Sequence, residues 1–157
     1  MSFITGGGAF PKFDLFHAHC AMKVDFIDQS CQDLYNVMKD RVMMWHPEPE
    51  AKGTYKVWDA TELESLWATR TVPSGKYTDD ILFDFLPVDP NDFQIKKCTI
   101  AAKSRSQSLS YYDYETNYCN MWNVIKETVA DHNDLPTIQT SDCKWIPKDP
   151  ATRCQTY

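Results

Sequence analysis

SRSQSLSYYDYETNYCNMWN, residues 104–123, changes its periodicity once, and the place where it changes decides the fold. In the run leading into it, Cys98, Ile100 and Ala102 share one side, and Ser104, Ser106 and Ser108 continue that side with Arg105 opposite. A period of two is the signature of a strand, so the longest strand is expected from Phe93 to about Ser108. From Asp113 onward the spacing is helical: Tyr114, Tyr118, Met121, Trp122, Ile125 and Val129 fall on one face, with Asp113 suited to cap the first turn. The strand's core side therefore turns polar just before the last helix begins. Either the sheet leaves the core there, or its hydroxyls look into a cavity that needs hydrogen-bonding groups. In the helix, Asn117 and Asn120 lie one turn apart, and buried Asn must find partners.

Upstream, Phe16, Ala18, Cys20, Met22, Val24 and Phe26 alternate with His17, His19, Ala21, Lys23 and Asp25, the pattern of a half-buried strand. Ser30 then offers an N-cap with Asp33 three positions on, and Leu34, Val37, Met38, Val42 and Trp45 repeat at helical spacing until His46-Pro47-Glu48-Pro49 stops the run. The middle reads as a meander. Thr54–Trp58 is a short strand; Ser65–Val72 sets Leu66, Ala68, Arg70 and Val72 against Trp67, Thr69 and Thr71; Pro73-Ser74-Gly75-Lys76 has hairpin chemistry; Tyr77–Leu86 returns. Asp79, Asp80 and Asp84 on that return strand face Lys96, Lys97, Lys103 and Arg105 on the next, which favours cross-strand pairing over an anion site.

The resulting expectation is an α+β fold: an antiparallel sheet of about five strands in the order β-α-β-β-β-β-α, with its helices on one face. Residues 1–13, including Gly6-Gly7-Gly8, read as a flexible arm, residues 14–133 as a single domain, and 134–157 as an irregular tail held by a disulfide.

The junction also resembles a known family. Arg105-Ser106-Gln107-Ser108 followed by Asp113-Tyr114-Glu115-Thr116-Asn117 is similar to the strand-to-helix junction of an uncharacterised bacterial and plastid family, in which an Arg-Ser-x-Ser strand end precedes Asp-x-x-x-Asn and a final helix. The resemblance spans about 20 residues and implies topology, not chemistry.

Composition narrows the function classes. A net charge of -6 over 157 residues, 43% of them hydrophobic, argues against nucleic-acid or anionic-membrane surfaces and for one well-filled core. The apolar runs are too short for a membrane span, so a soluble chain is expected. Six cysteines, Cys20, Cys31, Cys98, Cys119, Cys143 and Cys154, follow the usage of secreted domains, although the N-terminus shows no secretory signal. An extracytoplasmic location is the expectation, with a mature form lacking its leader as the reconciliation and a reduced cytoplasmic protein as the alternative. Six cysteines allow 15 pairings; the pairs suggested along the chain are Cys20–Cys31, Cys98–Cys119 and Cys143–Cys154.

Catalytic signals are sparse. His17 and His19 share a strand face at a spacing that suits one metal ion, and Cys31 at a helix N-terminus is where a thiolate gains stability. No phosphate loop, G-x-S-x-G, H-E-x-x-H or C-x-x-C occurs, and no cofactor is expected. The first functional expectation is thus a non-catalytic binding protein whose curved sheet and last helix enclose a small apolar molecule near Ser104, Ser106, Asn117 and Tyr118. The alternative is an accessory subunit docking on a larger protein assembly. A hydrolytic or metal-dependent enzyme using His17, His19 and Cys31 stands third.

Overall fold

The alternation around Met22 becomes a central strand of an antiparallel sheet in the computed structural model, which describes residues 3–4, 8–110 and 112–157. In chain order the elements are β1 (Phe3–Ile4), β2 (His19–Phe26), α1 (Cys31–Met44), β3 (Thr54–Thr61), β4 (Ser65–Thr71), β5 (Thr78–Pro87), β6 (Cys98–Ser106), α2 (Thr116–Ile125), β7 (Ile138–Ser141) and α3 (Pro150–Arg153). Single 3-10 turns occupy Lys126–Thr128 and His132–Asp134. Among the described residues the seven strands form one sheet in the order β1-β3-β4-β5-β6-β2-β7, with every pairing antiparallel. The α+β class and the β-α-β-β-β-β-α kernel are as the periodicities predict. The sheet is larger than the expected five strands.

Both main helices cover one face. Ser30 caps α1 by accepting from the Asp33 N–H at 3.1 Å, and the helix buries Leu34, Tyr35, Met38 and Val42. These pack with Met22, Val24, Phe83, Ile100, Met121 and Ile125 in a single apolar cluster. A fully buried aliphatic or aromatic side chain contributes about 1.5–3 kcal/mol, so this layer dominates the fold's stability. Phe16 departs from its expected inward side: the strand begins only at His19, and Phe16 is 70% exposed. The long strand likewise begins at Cys98, not Phe93, because Asp92 Oδ1 accepts from the Gln94 N–H and holds 92–94 in a turn.

Of the expected N-terminal arm, residues 1, 2 and 5–7 lie outside the described residues; Phe3 and Ile4 pair with Thr61 and Ala60, and Phe10 sits edge-on to Trp67. The tail is more ordered than expected. Its segment Ile138–Ser141 adds to the sheet edge as β7, with Met22 opposite Thr140 and Ala21 opposite Ser141.

All six cysteines are paired, as Cys20–Cys143, Cys31–Cys98 and Cys119–Cys154. None of the suggested pairs forms. β7 brings Cys143 alongside Cys20 through the β2 register, and the end of β2, where Phe26 opposes Cys98, lies beside the start of α1 at Cys31. Sheet register, not closeness along the chain, chose the partners.

Candidate functional site

The polar side of β6 is a buried hydrogen-bond network. Arg70, which the β4 alternation places inward, is 0% exposed, and Glu48 is 2% exposed. Arg70 Nη2 donates to Glu48 Oε1 at 2.7 Å and also to the main-chain oxygen of Tyr157. Arg70 Nη1 donates to Asn120 Oδ1 at 3.3 Å. Asn120 Nδ2 in turn donates to Asp79 Oδ2 at 2.7 Å and Ser104 Oγ at 3.1 Å. Ser104 Oγ donates to Asn117 Oδ1 at 2.7 Å, and Asn117 Nδ2 reaches Ser106 Oγ at 3.3 Å and Asp113 Oδ2 at 2.8 Å. Tyr55 closes one side, its hydroxyl donating to the Asn120 carbonyl at 3.0 Å. A Cβ on Gly53 would lie 2.3 Å from Arg70 Nε, so only glycine lets the loop after α1 lie against the guanidinium.

Burial sets the electrostatics. Desolvation pushes the carboxyls of Glu48, Asp79 and Asp113 upward from their ordinary values, opposed at Glu48 by Arg70 and at Asp79 by the Asn120 hydrogen bond. At Asp113 the opposing contacts are the main-chain and side-chain donors of Asn117. Asp113 steadies the helix start from two residues ahead of the N-cap Glu115, not as the N-cap itself: Oδ1 accepts from the Glu115 N–H at 3.0 Å and Oδ2 from the Asn117 N–H at 3.1 Å. These bonds hold Tyr114 and Glu115 at positive φ, 51° and 76°, a conformation side chains other than glycine seldom adopt.

At its outer end the network borders a cleft of about 220 Å³ between the sheet end and the start of α2. Asp79, Ser106 and Asp113 lie at its polar side; Val72, Tyr77, Leu109, Tyr112 and Tyr114 supply the apolar walls. The four larger of these apolar residues are each more than half exposed. The four expected ligand residues therefore separate. Ser106 lines this cleft, Ser104 and Asn117 stand behind it within the network, and Tyr118 faces a different cleft with Trp122, His132 and Pro136. Sequence reasoning missed Asp79 and Tyr77; the alternation that puts Ile81 and Phe83 inward also puts Asp79 inward, which was the available signal.

A second cleft, of about 270 Å³, opens on the other side of the same loop, with Ser110 shared between them. Leu15, Ala18, His17, His19 and Trp145 line it. His17 Nδ1 donates to Asp14 Oδ1 at 2.8 Å, and His19 Nδ1 to the His17 carbonyl at 2.8 Å. The His17 bond, with Phe16 N–H and Arg105, holds the Asp14 carboxyl far below its usual range. His17 and His19 border the same cleft, but Cys31 does not join them. It sits beyond the opposite end of β2, about 20 Å or more away at ~3.3 Å per residue, and its sulfur is bonded to Cys98. Cys31 is thus a disulfide cysteine, the reading favoured over a nucleophile, though bonded to Cys98 and not to the suggested Cys20. Among the described residues no three His, Cys, Asp or Glu side chains are grouped to hold a metal ion, and no helix is long and apolar enough to cross a membrane.

Neither a protein-family model nor a curated protein sequence matches the chain.

Proposed function

We propose that this chain is a non-catalytic binding protein of an extracytoplasmic compartment, taking a small molecule with an apolar body into the cleft between the sheet end and α2. One observation carries the reading: Tyr77, Leu109, Tyr112 and Tyr114 stand exposed around a recess whose inner side is a pre-organised polar network. Ligand sites combine apolar walls with a few convergent polar groups in this way. At about 220 Å³ the recess is smaller than pockets for drug-sized molecules, which run from roughly 300 Å³, so the ligand is small. Three disulfides support the compartment, since such bonds persist in oxidising surroundings. The resemblance of the 105–117 junction to the bacterial and plastid family adds topology alone.

The test is a screen of small aromatic and aliphatic molecules by ¹H–¹⁵N NMR. Shifts clustered at Tyr77, Ser106 and residues 112–116 are expected. Shifts that are absent, or that gather elsewhere, defeat this reading.

A second reading, docking on a larger protein assembly, draws on Leu15 and Phe16, which stand exposed near Leu109 at the same end of the sheet. Exposed apolar residues concentrated in one region mark interaction surfaces more often than single scattered ones do.

A further inference from the structure

The cleft beside α2 has a charge imbalance that its hydrogen bonds do not remove. Asp79 and Asp113 both line it, and each raises the energy of the other's ionised form. Among the described residues that line it, none is Lys, Arg or His. The nearest buried cation, Arg70, is bound directly to Glu48, is hydrogen-bonded to Asp79 only through Asn120, and favours the ionised Asp79 by its charge alone. Two carboxylates thus face a recess with one guanidinium behind them, and that guanidinium already has a carboxylate of its own.

The walls answer the same charge. Tyr77, Tyr112 and Tyr114 border the recess, with the last two rings 5.4 Å apart. Aromatic faces are negative and attract a cation lying within about 6 Å of the ring centroid. Ser110, on the loop shared with the second cleft, has a shielded hydroxyl with no hydrogen-bond partner among the described residues, so both its donor and its acceptor capacity are unmet there.

A bare metal ion fits these groups poorly. Both Asp113 oxygens already accept backbone or side-chain N–H bonds, and Asp79 Oδ2 accepts from Asn120, whereas metal ligation draws on free carboxylate lone pairs. A diffuse organic cation needs no such vacancy. It gains from the rings and from both carboxylates at longer range.

We infer that the cleft between the sheet end and α2 binds a small organic ammonium ion, its cationic head among Tyr77, Tyr112 and Tyr114 over Asp79 and Asp113. This rests on the small-molecule reading given above and names the ligand's class.

Choline chloride and its neutral carbon isostere, 3,3-dimethylbutan-1-ol, separate the two claims when titrated into the oxidised full chain at fixed ionic strength and followed by ¹H–¹⁵N NMR. Choline is expected to shift Tyr77, Ser106 and residues 112–116 and to bind at least about fivefold tighter than the isostere, in line with a desolvated cation–aromatic contact. Tyr77→Ala, a change at an exposed turn, is expected to weaken choline at least about threefold with the thermal midpoint unchanged. Equal binding of the isostere would overturn the ammonium inference and leave the cleft as an apolar site. No shift at the cleft from either probe would overturn both. Calcium chloride that reproduces the shifts and displaces choline would make it a metal site instead, also overturning the inference.

Discussion

Arg70 and Glu48 face each other across 2.7 Å with neither side chain reaching solvent. Two charges removed from water lose hydration that their attraction only partly restores, yet deleting one partner leaves the other buried and uncompensated at about 3–5 kcal/mol.

Arg70→Met is therefore expected to lower stability by about that amount, since it strands Glu48 and removes a donor from Asn120. The double change Arg70→Met with Glu48→Leu is expected to recover a large part of the loss. Urea titrations of the four species measure both. A double variant no more stable than Arg70→Met would show that packing, not the stranded charge, sets the penalty.

Asn117→Ala is expected to destabilise by about 2–3 kcal/mol, because it leaves buried partners at Ser104, Ser106 and Asp113 without their bonds. Asn133→Ala, at an exposed turn, provides the comparison and is expected to change stability by less than about 0.5 kcal/mol. Chemical denaturation of both variants decides whether the network at the sheet end is structural in its own right.

The disulfides close intervals of 123, 67 and 35 residues. In the chain-entropy account these are worth about 5 kcal/mol for Cys20–Cys143 and about 4 kcal/mol for each of the other two. Their sum rivals the roughly 5–15 kcal/mol net stability of a domain. Full reduction is accordingly expected to unfold the protein, and replacing Cys119 and Cys154 together by Ser is expected to cost less than replacing Cys20 and Cys143. Circular dichroism with and without reductant reads the first, thermal melts of the paired variants the second. A reduced chain that melts where the oxidised one does would contradict it.

Stability should respond to pH in a predictable direction. Asp79 and Asp113 have raised folded pKa values, so their ionised forms weaken the fold at neutral pH. That penalty shrinks as pH falls through each folded value and is gone near the ordinary value of 3.8. Asp14 works in the opposite sense: its lowered pKa contributes stability above 3.8 that is lost as pH falls toward its folded value. The urea midpoint is thus expected to rise as pH is lowered from neutral toward the ordinary carboxylate value of 3.8, and to fall again below it as Asp14 is protonated. Asp79→Asn is expected to flatten the rise, and an unchanged slope in that variant would remove Asp79 from the account.

Much of the fold was legible because local patterns and global packing agree. Met22, Val24 and Phe26 announce β2 by alternation and Ser30 and Leu34 announce α1 by cap and period, and each finds that place in the structure; α2 begins at Thr116, three residues after the expected Asp113, with Tyr114 outside the helix and exposed. The strand β7 was not legible, since Ile138–Ser141 carries one partly buried residue and earns its conformation from pairing with β2. The site was half legible. Ser106 and Asn117 stood out by polarity at inward positions, while Glu48 lay among prolines after α1 and Tyr77 at the first position of the expected return strand, with nothing local to bring either toward α2.

By itself the sequence determined what periodicity and composition can encode: the α+β class, the strand–helix–meander–helix order and the inward polar face of β6. The tertiary structure decided who meets whom. The disulfide partners, the Arg70–Glu48 pair and the cleft of Tyr77, Asp79 and Asp113 each join residues from separate elements. Side-chain direction repeats every two or 3.6 residues along a chain, but distance across a sheet depends on register and strand order, which belong to the folded whole.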